Sequence, residues 1–364
     1  MTKEHDPLNL RNIFKLGPSG EDHWVALRCG IGVFLPLVFL LLIDRLDLAI
    51  FAVFGAFVNV YGRVPGHLNR LIAQLKAGAL FWILILIAWF ASTYWIEHGT
   101  TRGLWMLVAL TSVVAGVCTY LTSILRVRPA GSLFHIFAFA AIASAPNLPS
   151  VSDSMFTTTC TIMLALFVGL AGRLLPSRRT EWQVSPVKPF TPELQKAFAI
   201  ESALYFVAAA AAGSLATLLS PIFQTSHNYW AMVAAVVPLV GKTMRHRLAR
   251  GVHRILGTLV GLVLMALIVA INPGAVVTIL IIGLMQFTAE MFIARNYFFA
   301  QIFVTPLALV GTGLSSGTTD GPVYDRLVET VIGAIVGILT MVVGSMIGNA
   351  IRRRLSANAA SSVN

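Results

Sequence analysis

Twelve apolar stretches separated by short polar gaps run along the 364-residue chain. Ten of them, at 24–43, 71–96, 103–125, 132–148, 155–175, 197–219, 252–271, 275–293, 297–314 and 327–350, approach the roughly 20 residues that carry a helix across a hydrocarbon core. Two shorter runs, 48–61 and 229–241, complete the set. The pattern predicts an all-α polytopic membrane protein with about twelve transmembrane helices.

The positions of lysine and arginine turn this pattern into a topology. With the N-terminus taken as cytoplasmic, Lys3, Arg11 and Lys15 lie in the first tail and Arg352, Arg353 and Arg354 in the last. The even gaps hold Arg63, Arg70 and Lys76; then Arg126 and Arg128; then Arg173, Arg178, Arg179, Lys188 and Lys196; then Lys242, Arg245, Arg247, Arg250 and Arg254; then Arg295. Only Arg45, Arg102 and Arg326 fall in odd gaps, with Arg28 just inside the first span. Short loops rich in Lys and Arg stay cytoplasmic, so both termini are expected inside. Treating the two short runs as re-entrant would put Arg126 and Arg128 outside and Glu97 inside, against this bias, so both are kept as spans. The first span follows Glu4, Asp6, Glu21 and Asp22, and no small-x-small site follows its apolar run. It reads as a retained helix and not as a signal peptide.

The polar stretch from Pro176 to Pro192 divides the chain. The expected organisation is a cytoplasmic tail (1–23), a first six-helix half (24–175), a linker (176–196), a second six-helix half (197–350) and a cytoplasmic tail (351–364). The halves echo each other. Tyr61-Gly62-Arg63 parallels Val240-Gly241-Lys242, His67 parallels His246, Gly78 parallels Gly257, and Arg128 precedes the fifth span as Arg295 precedes the eleventh. An even number of spans per half orients the halves alike, which predicts two parallel repeats. Short hydrophobic segments at matching places in two repeats point to a transporter's binding site. Pro36, Pro238 and Pro306 fall within spans, where proline permits a kink. The pairs Gly257 and Gly261, and Gly333 and Gly337, have the spacing of close helix contacts.

Composition narrows the function. The chain is 57% hydrophobic and 11% charged, against about 25% charged residues in soluble domains. Its formal charge of +11 is spread over the loops, which suits anionic lipid and not a nucleic acid, whose binding needs a basic stripe. Cys29, Cys118 and Cys160 lie inside predicted spans at no metal-binding spacing. There is no Walker A loop, no His-Glu-x-x-His and no Gly-x-Ser-x-Gly. No enzyme activity, cofactor or metal is expected.

Several segments resemble the fusaric-acid-resistance and aromatic-acid-exporter superfamily, to which plant aluminium-activated malate channels are related. Residues 228–264 are similar to its Tyr-Trp span, basic loop and Arg-x-x-Gly-Thr-x-x-Gly helix, here Arg254, Gly257, Thr258 and Gly261. Residues 295–310 resemble its Asn-Tyr…Thr-Pro helix at Asn296, Tyr297, Thr305 and Pro306. Residues 325–337 resemble its closing Arg-x-x-(acid)-Thr-x-x-Gly helix at Arg326, Glu329, Thr330 and Gly333, and residues 54–63 resemble the opening of compact bacterial members. The resemblance implies helical membrane halves and export of aromatic acids or passage of organic anions. Larger members carry a long cytoplasmic domain that the short linker here does not match.

Candidate residues follow from the chemistry of an anion. Arg binds a carboxylate bidentately, which singles out Arg128 and Arg295 at the mouths of the two halves, with positive-inside anchoring as the plainer explanation. The pathway set is Asn59, Tyr61, Arg63, Arg128, Asn228, Tyr229, Lys242, Arg295 and Asn296. Trp230 reads as an interfacial aromatic. Arg247, Arg250 and Arg254 share a helical face suited to lipid headgroups. Membrane carboxylates are often functional, so Glu290 and Glu329 are the candidates for a proton relay, with Arg326 and Glu329 spaced for an i,i+3 pair. His135 reads as a hydrogen-bonded helix residue. The expected function is export of small organic anions, aromatic carboxylates among them, by alternating access between two halves, with proton coupling. A passive anion channel and a non-transporting scaffold are the alternatives. The expected partners are membrane lipids, a small organic anion and a second copy of the chain, with no nucleic acid.

Overall fold

The computed structural model describes residues 14–361 apart from 64–65, 185, 187–188, 242 and 317–322. Lys3, Arg11, Lys188 and Lys242 therefore lie outside the described residues. Each of the twelve apolar stretches forms a helix. In chain order these are α1 (Asp22–Leu42), α2 (Leu46–Val60), α3 (His67–Phe90), α4 (Thr101–Ile124), α5 (Leu133–Ala143), α6 (Val151–Ala171), α7 (Pro192–Phe223), α8 (Tyr229–Leu239), α9 (Met244–Ile271), α10 (Ala275–Ile293), α11 (Tyr297–Ser316) and α12 (Val323–Ser361). Among the described residues there is no strand, and nine helices are long and apolar enough to cross a membrane.

Four of the helices start on a Ser or Thr whose hydroxyl accepts an otherwise unpaired amide of the first turn. The pairs are Thr100 with Gly103, Ser150 with Asp153, Thr191 with Leu194 and Thr243 with His246, at 3.0–3.3 Å. Thr243 moves the start of α9 to Met244, so that Arg245, Arg247, Arg250 and Arg254 sit on a helix and not in the expected loop. The expected span at 132–148 shortens to the 11 residues of α5. Pro146 and Pro149 follow its end, and a residue before proline is driven out of the helical region, a local veto that an average over hydropathy does not register.

Loop contacts sort into two faces. Among the odd gaps, Arg45 bonds Asp153 at 2.9 Å and the His227 ring bonds Asp325 at 2.8 Å. Among the even gaps and the first tail, Arg178 bonds Glu21 at 2.8 Å, Arg295 donates to the Gly17 carbonyl at 3.1 Å, and Arg126 lies over the Phe190 ring. A chain that changes face at every helix, the three short ones included, produces this sorting. The odd-gap cations are neutralised or enclosed: Arg45 also pairs with Asp47, Arg102 pairs with Glu97, and Arg326 is buried. The charge excess stays on the even face, as the loop pattern predicts.

Helix packing recurs when both labels are moved by six. The pair α1–α10 has its counterpart in α7–α4, α2–α6 in α8–α12, α3–α5 in α9–α11, α3–α6 in α9–α12, and α2–α11 in α8–α5. Details recur as well. Gly283 on α10 faces the Phe34 Cβ at 3.2 Å, and Gly116 on α4 faces the Phe206 Cβ at 3.3 Å. Helices α2 and α8 each end in a tight turn, an extended residue (Tyr61, Val240) and a glycine of positive φ (Gly62, Gly241). The carbonyl of each glycine accepts an arginine Nε from the next helix, Arg70 or Arg247, at 3.0 Å. Gly78 and Gly257 do not occupy matching places. Gly78 meets Ile162 and Val58, and Gly251 is the residue of α9 that meets the corresponding helices, at Ile338 and Pro238. Gly333 and Gly337 lie directly on the carbonyls of Ala231 and Ala235, where no β-carbon fits, which brings α12 onto the backbone of α8.

Candidate functional site

The short helices α2, α5 and α8, together with α11, surround a central cavity of about 90 Å³. Lining residues on α11 run from Tyr297 through Gln301, Val304 and Ala308 to Gly311 and Thr312, a single helical face. At 1.5 Å per residue this face covers about 22 Å, most of a hydrocarbon core of about 30 Å. Gly311 faces open space: a β-carbon there would meet nothing within 4 Å.

The walls differ in chemistry. Helices α2 and α5 contribute Ile50, Val53, Phe54, Phe57, Phe134 and Phe137, all apolar. Their rings meet edge to face, Phe54 with Phe137 at 5.1 Å and Phe57 with Phe134 at 5.5 Å, the arrangement favoured by the ring quadrupole. The opposing wall, from α8 to α12, contributes Trp230, Arg254, Gln286, Glu290, Tyr297, Gln301 and Arg326.

Arg326 is 1% exposed, and its guanidinium stacks 3.7 Å over the Trp230 ring. Its Nε and Nη1 have no hydrogen-bond partner among the described residues. Arg254, 2% exposed, donates through Nη1 to Gln301 Oε1 at 2.8 Å, while its Nε and Nη2 have no partner among the described residues. Gln301 in turn donates to Thr258 and Thr305 at 3.1 and 2.9 Å, so a bonded network on α9 and α11 fixes the orientation of Arg254. Buried cations are costly unless paired. Both arginines line the one cavity, and a guanidinium with unpartnered donors has the chemistry to bind an anion's oxygens. Glu329 is also buried, and both its oxygens lack a partner among the described residues; Thr225 and the Trp230 amide lie nearby without hydrogen-bond geometry. The expected bond between Arg326 and Glu329 is therefore not formed.

At the even-face end, Glu290 lines the cavity and pairs with Arg63 at 2.8 Å; Arg63 also holds Asp22 at 2.8 Å. Burial works against the Arg63 charge, yet its two carboxylates outweigh that and hold the guanidinium above its ordinary range.

The other expected pathway residues that the structure describes lie away from this cavity. Asn59 is buried against Gly32, and its carbonyl accepts Arg28 at 2.8 Å. Tyr61 packs beside Phe81 and His135, and Asn228 ties Thr217 to the Leu104 carbonyl. Tyr229 packs on Trp230. Arg128 is exposed, whereas Arg295 and Asn296 hold the Gly17 and Lys15 carbonyls of the first tail, so Arg128 and Arg295 are not equivalent in their surroundings. His135 is buried without a partner for either ring nitrogen among the described residues. The sequence assigns Arg254 to a lipid-facing basic face, Arg326 to a pair with Glu329 and Trp230 to the interface, and carries no signal that singles out Gln301; the structure instead puts all four in the cavity lining.

Residues 215–340 match the family described as fusaric acid resistance protein-like. Every polar lining residue of the cavity falls within that segment. The chain is also 31% identical over 126 residues to an uncharacterized membrane protein, YvaC, of Bacillus subtilis (strain 168). The match covers 34% of this chain and 20% of that protein's length. No solved structure matches the chain. Through residues 215–340, this all-helical multi-pass membrane protein is similar to the fusaric acid resistance protein-like family.

Proposed function

We propose that the chain carries small organic anions with an aromatic or apolar body across the membrane through the central cavity. The observation that carries this reading is the pairing of an aromatic wall on α2 and α5 with the unpartnered donors of Arg254 and Arg326 opposite. An aromatic ring packs edge to face on Phe54, Phe57 and Phe137, while its carboxylate takes the free guanidinium donors. The position of the polar wall inside the matched family segment supports the same reading.

Transport proceeds by alternating access between two parallel six-helix halves. Recurrence of the packed pairs under a shift of six supports the repeat. In this scheme α1 slides on α10 and α7 on α4, at contacts where Gly283 and Gly116 leave the surface low. The Arg63–Glu290 pair closes the even-face end; Glu329, a buried carboxyl without a bonded cation, passes protons, and Glu290 joins it when the pair with Arg63 opens. The even face is cytoplasmic, by its charge excess.

Purified protein in liposomes, assayed with labelled benzoate, tests this. Uphill flux driven by a pH gradient supports a coupled exporter. Gradient-independent electrogenic flux makes the same cavity a channel and removes the relay. Absence of flux for benzoate and for a panel of aliphatic carboxylates overturns the transport reading.

A further inference from the structure

A second cavity, of about 230 Å³, opens on the even face between α1 and α6 and is lined by Arg28, Arg63, Arg70 and Arg178. Its charges do not balance. Arg63 is held by Asp22 and Glu290, and Arg178 by Glu21 at 2.8 Å while stacking 4.0 Å over the Trp24 ring. Arg28 and Arg70 bond only to neutral backbone carbonyls. Arg28 donates Nε and Nη2 to Asn59 at 3.1 and 2.8 Å, and Arg70 donates Nε to Gly62 and Nη1 to Gly169, both at 3.0 Å. These bonds fix the two side chains in the cavity lining. Arg28 is only 6% exposed. A buried guanidinium and a half-buried one, neither paired with a carboxylate, favour an anion joining them.

The rim says which anion. Trp24, Leu27 and Leu175 border the cavity as exposed apolar side chains, with Ile31 and Val168 beside them, and the exposed stripe continues along α1 through Leu35, Phe39 and Leu42. A fully soluble ion has no use for that edge. An anion attached to a hydrocarbon chain uses both parts, the phosphate oxygens on the guanidinium forks and the chain along α1.

We propose that this cavity is a site for the headgroup of an anionic phospholipid, with its phosphate held by Arg28 and Arg70 and one acyl chain lying on Leu27 and Ile31. The site is independent of what the central cavity carries. Basic recesses between transmembrane helices are suited to such headgroups, and here the recess faces the side on which the chain's positive loops gather.

The test uses the full-length protein extracted from bilayers of mixed phosphatidylglycerol and phosphatidylethanolamine, with retained lipid read by native mass spectrometry. The wild type is expected to keep a phosphatidylglycerol through delipidation and to take it up in preference to phosphatidylethanolamine. Arg28→Gln with Arg70→Gln should weaken retention at least tenfold, and Arg179→Gln, outside the cavity, should not. Because the double variant removes bonds that also support the fold, Gly172→Leu gives an independent reading. A β-carbon at Gly172 meets only the His67 ring, at 3.4 Å, so the longer side chain fills the recess with both arginines intact, and retention should fall similarly. Equal retention by wild type and Gly172→Leu, or no preference for phosphatidylglycerol, overturns the proposal. Displacement of the lipid by millimolar inorganic phosphate makes the site one for a free anion and overturns the lipid assignment.

Discussion

The two walls of the central cavity come from different parts of the chain and have different chemistry. The wall from α2 and α5 is aromatic and carries no charge, whereas the wall from α8 to α12 holds Arg254, Arg326, Glu290 and a bonded Gln301 network. Helices that pack in matching ways thus differ in what they present to the centre. In α5 the facing positions are Leu133, Phe134 and Phe137, and in α11 they include the polar Tyr297, Gln301 and Thr312 among apolar Val304, Leu307 and Ala308. The difference suggests a division of labour, with one half gripping the body of a substrate and the other its charge.

The charged wall should matter most. Arg254→Gln with Arg326→Gln removes both guanidiniums and their unpartnered donors, and a charge-assisted hydrogen bond contributes about 1.5–3 kcal/mol. Benzoate flux into liposomes is therefore expected to fall at least about a hundredfold, with folding checked by gel filtration. A drop of the same size on the aromatic wall would break the comparison. Next comes Glu290→Gln, which leaves Arg63 with Asp22 as its remaining carboxylate partner. Losing one charged bond should cost about 1–3 kcal/mol of stability, read by thermal denaturation, and should make the cavity more reactive from the even face.

The aromatic wall should show a smaller and more selective effect. Phe57→Leu with Phe137→Leu keeps the wall apolar but removes edge-to-face partners, each such contact contributing about 0.5–1.5 kcal/mol. Transport of benzoate relative to hexanoate should decline about two- to tenfold, and loss of both alike would make these rings mere packing. The smallest effect belongs to Arg128→Gln. Arg128 is exposed and lines neither cavity, so flux should stay within about twofold, the range of a surface charge.

Much of the fold was legible because membrane insertion writes itself into the sequence as apolar runs and loop charge. All twelve stretches became helices, and the gaps segregated as their charges required. The length of α5 was hidden because Pro146 stops a helix without altering the hydropathy around it. The site was less legible. Arg254 lies well inside α9 and Arg326 in the first turn of α12, but a polar residue at the end of an apolar run looks the same whether its side chain snorkels outward or turns inward. Trp230 illustrates this ambiguity: an aromatic near a span end fits an interfacial belt, yet it is buried under Arg326. Asn59 shows the converse, a polar residue deep in a short helix that is spent on the packing of α1 against α2. Of the expected pathway and relay residues, Glu290 lines the central cavity and Arg63 bonds to it.

The central claim, that an organic anion occupies the space between the two walls, is tested most directly at Gly311, which faces that space. With Cys29, Cys118 and Cys160 replaced by alanine and Gly311→Cys introduced, labelling by a water-soluble maleimide should be slowed by benzoate in a saturable way. Adding Arg254→Gln should abolish the protection. Labelling of Gly311→Cys that is indifferent to benzoate, in protein that still transports it, would contradict the account.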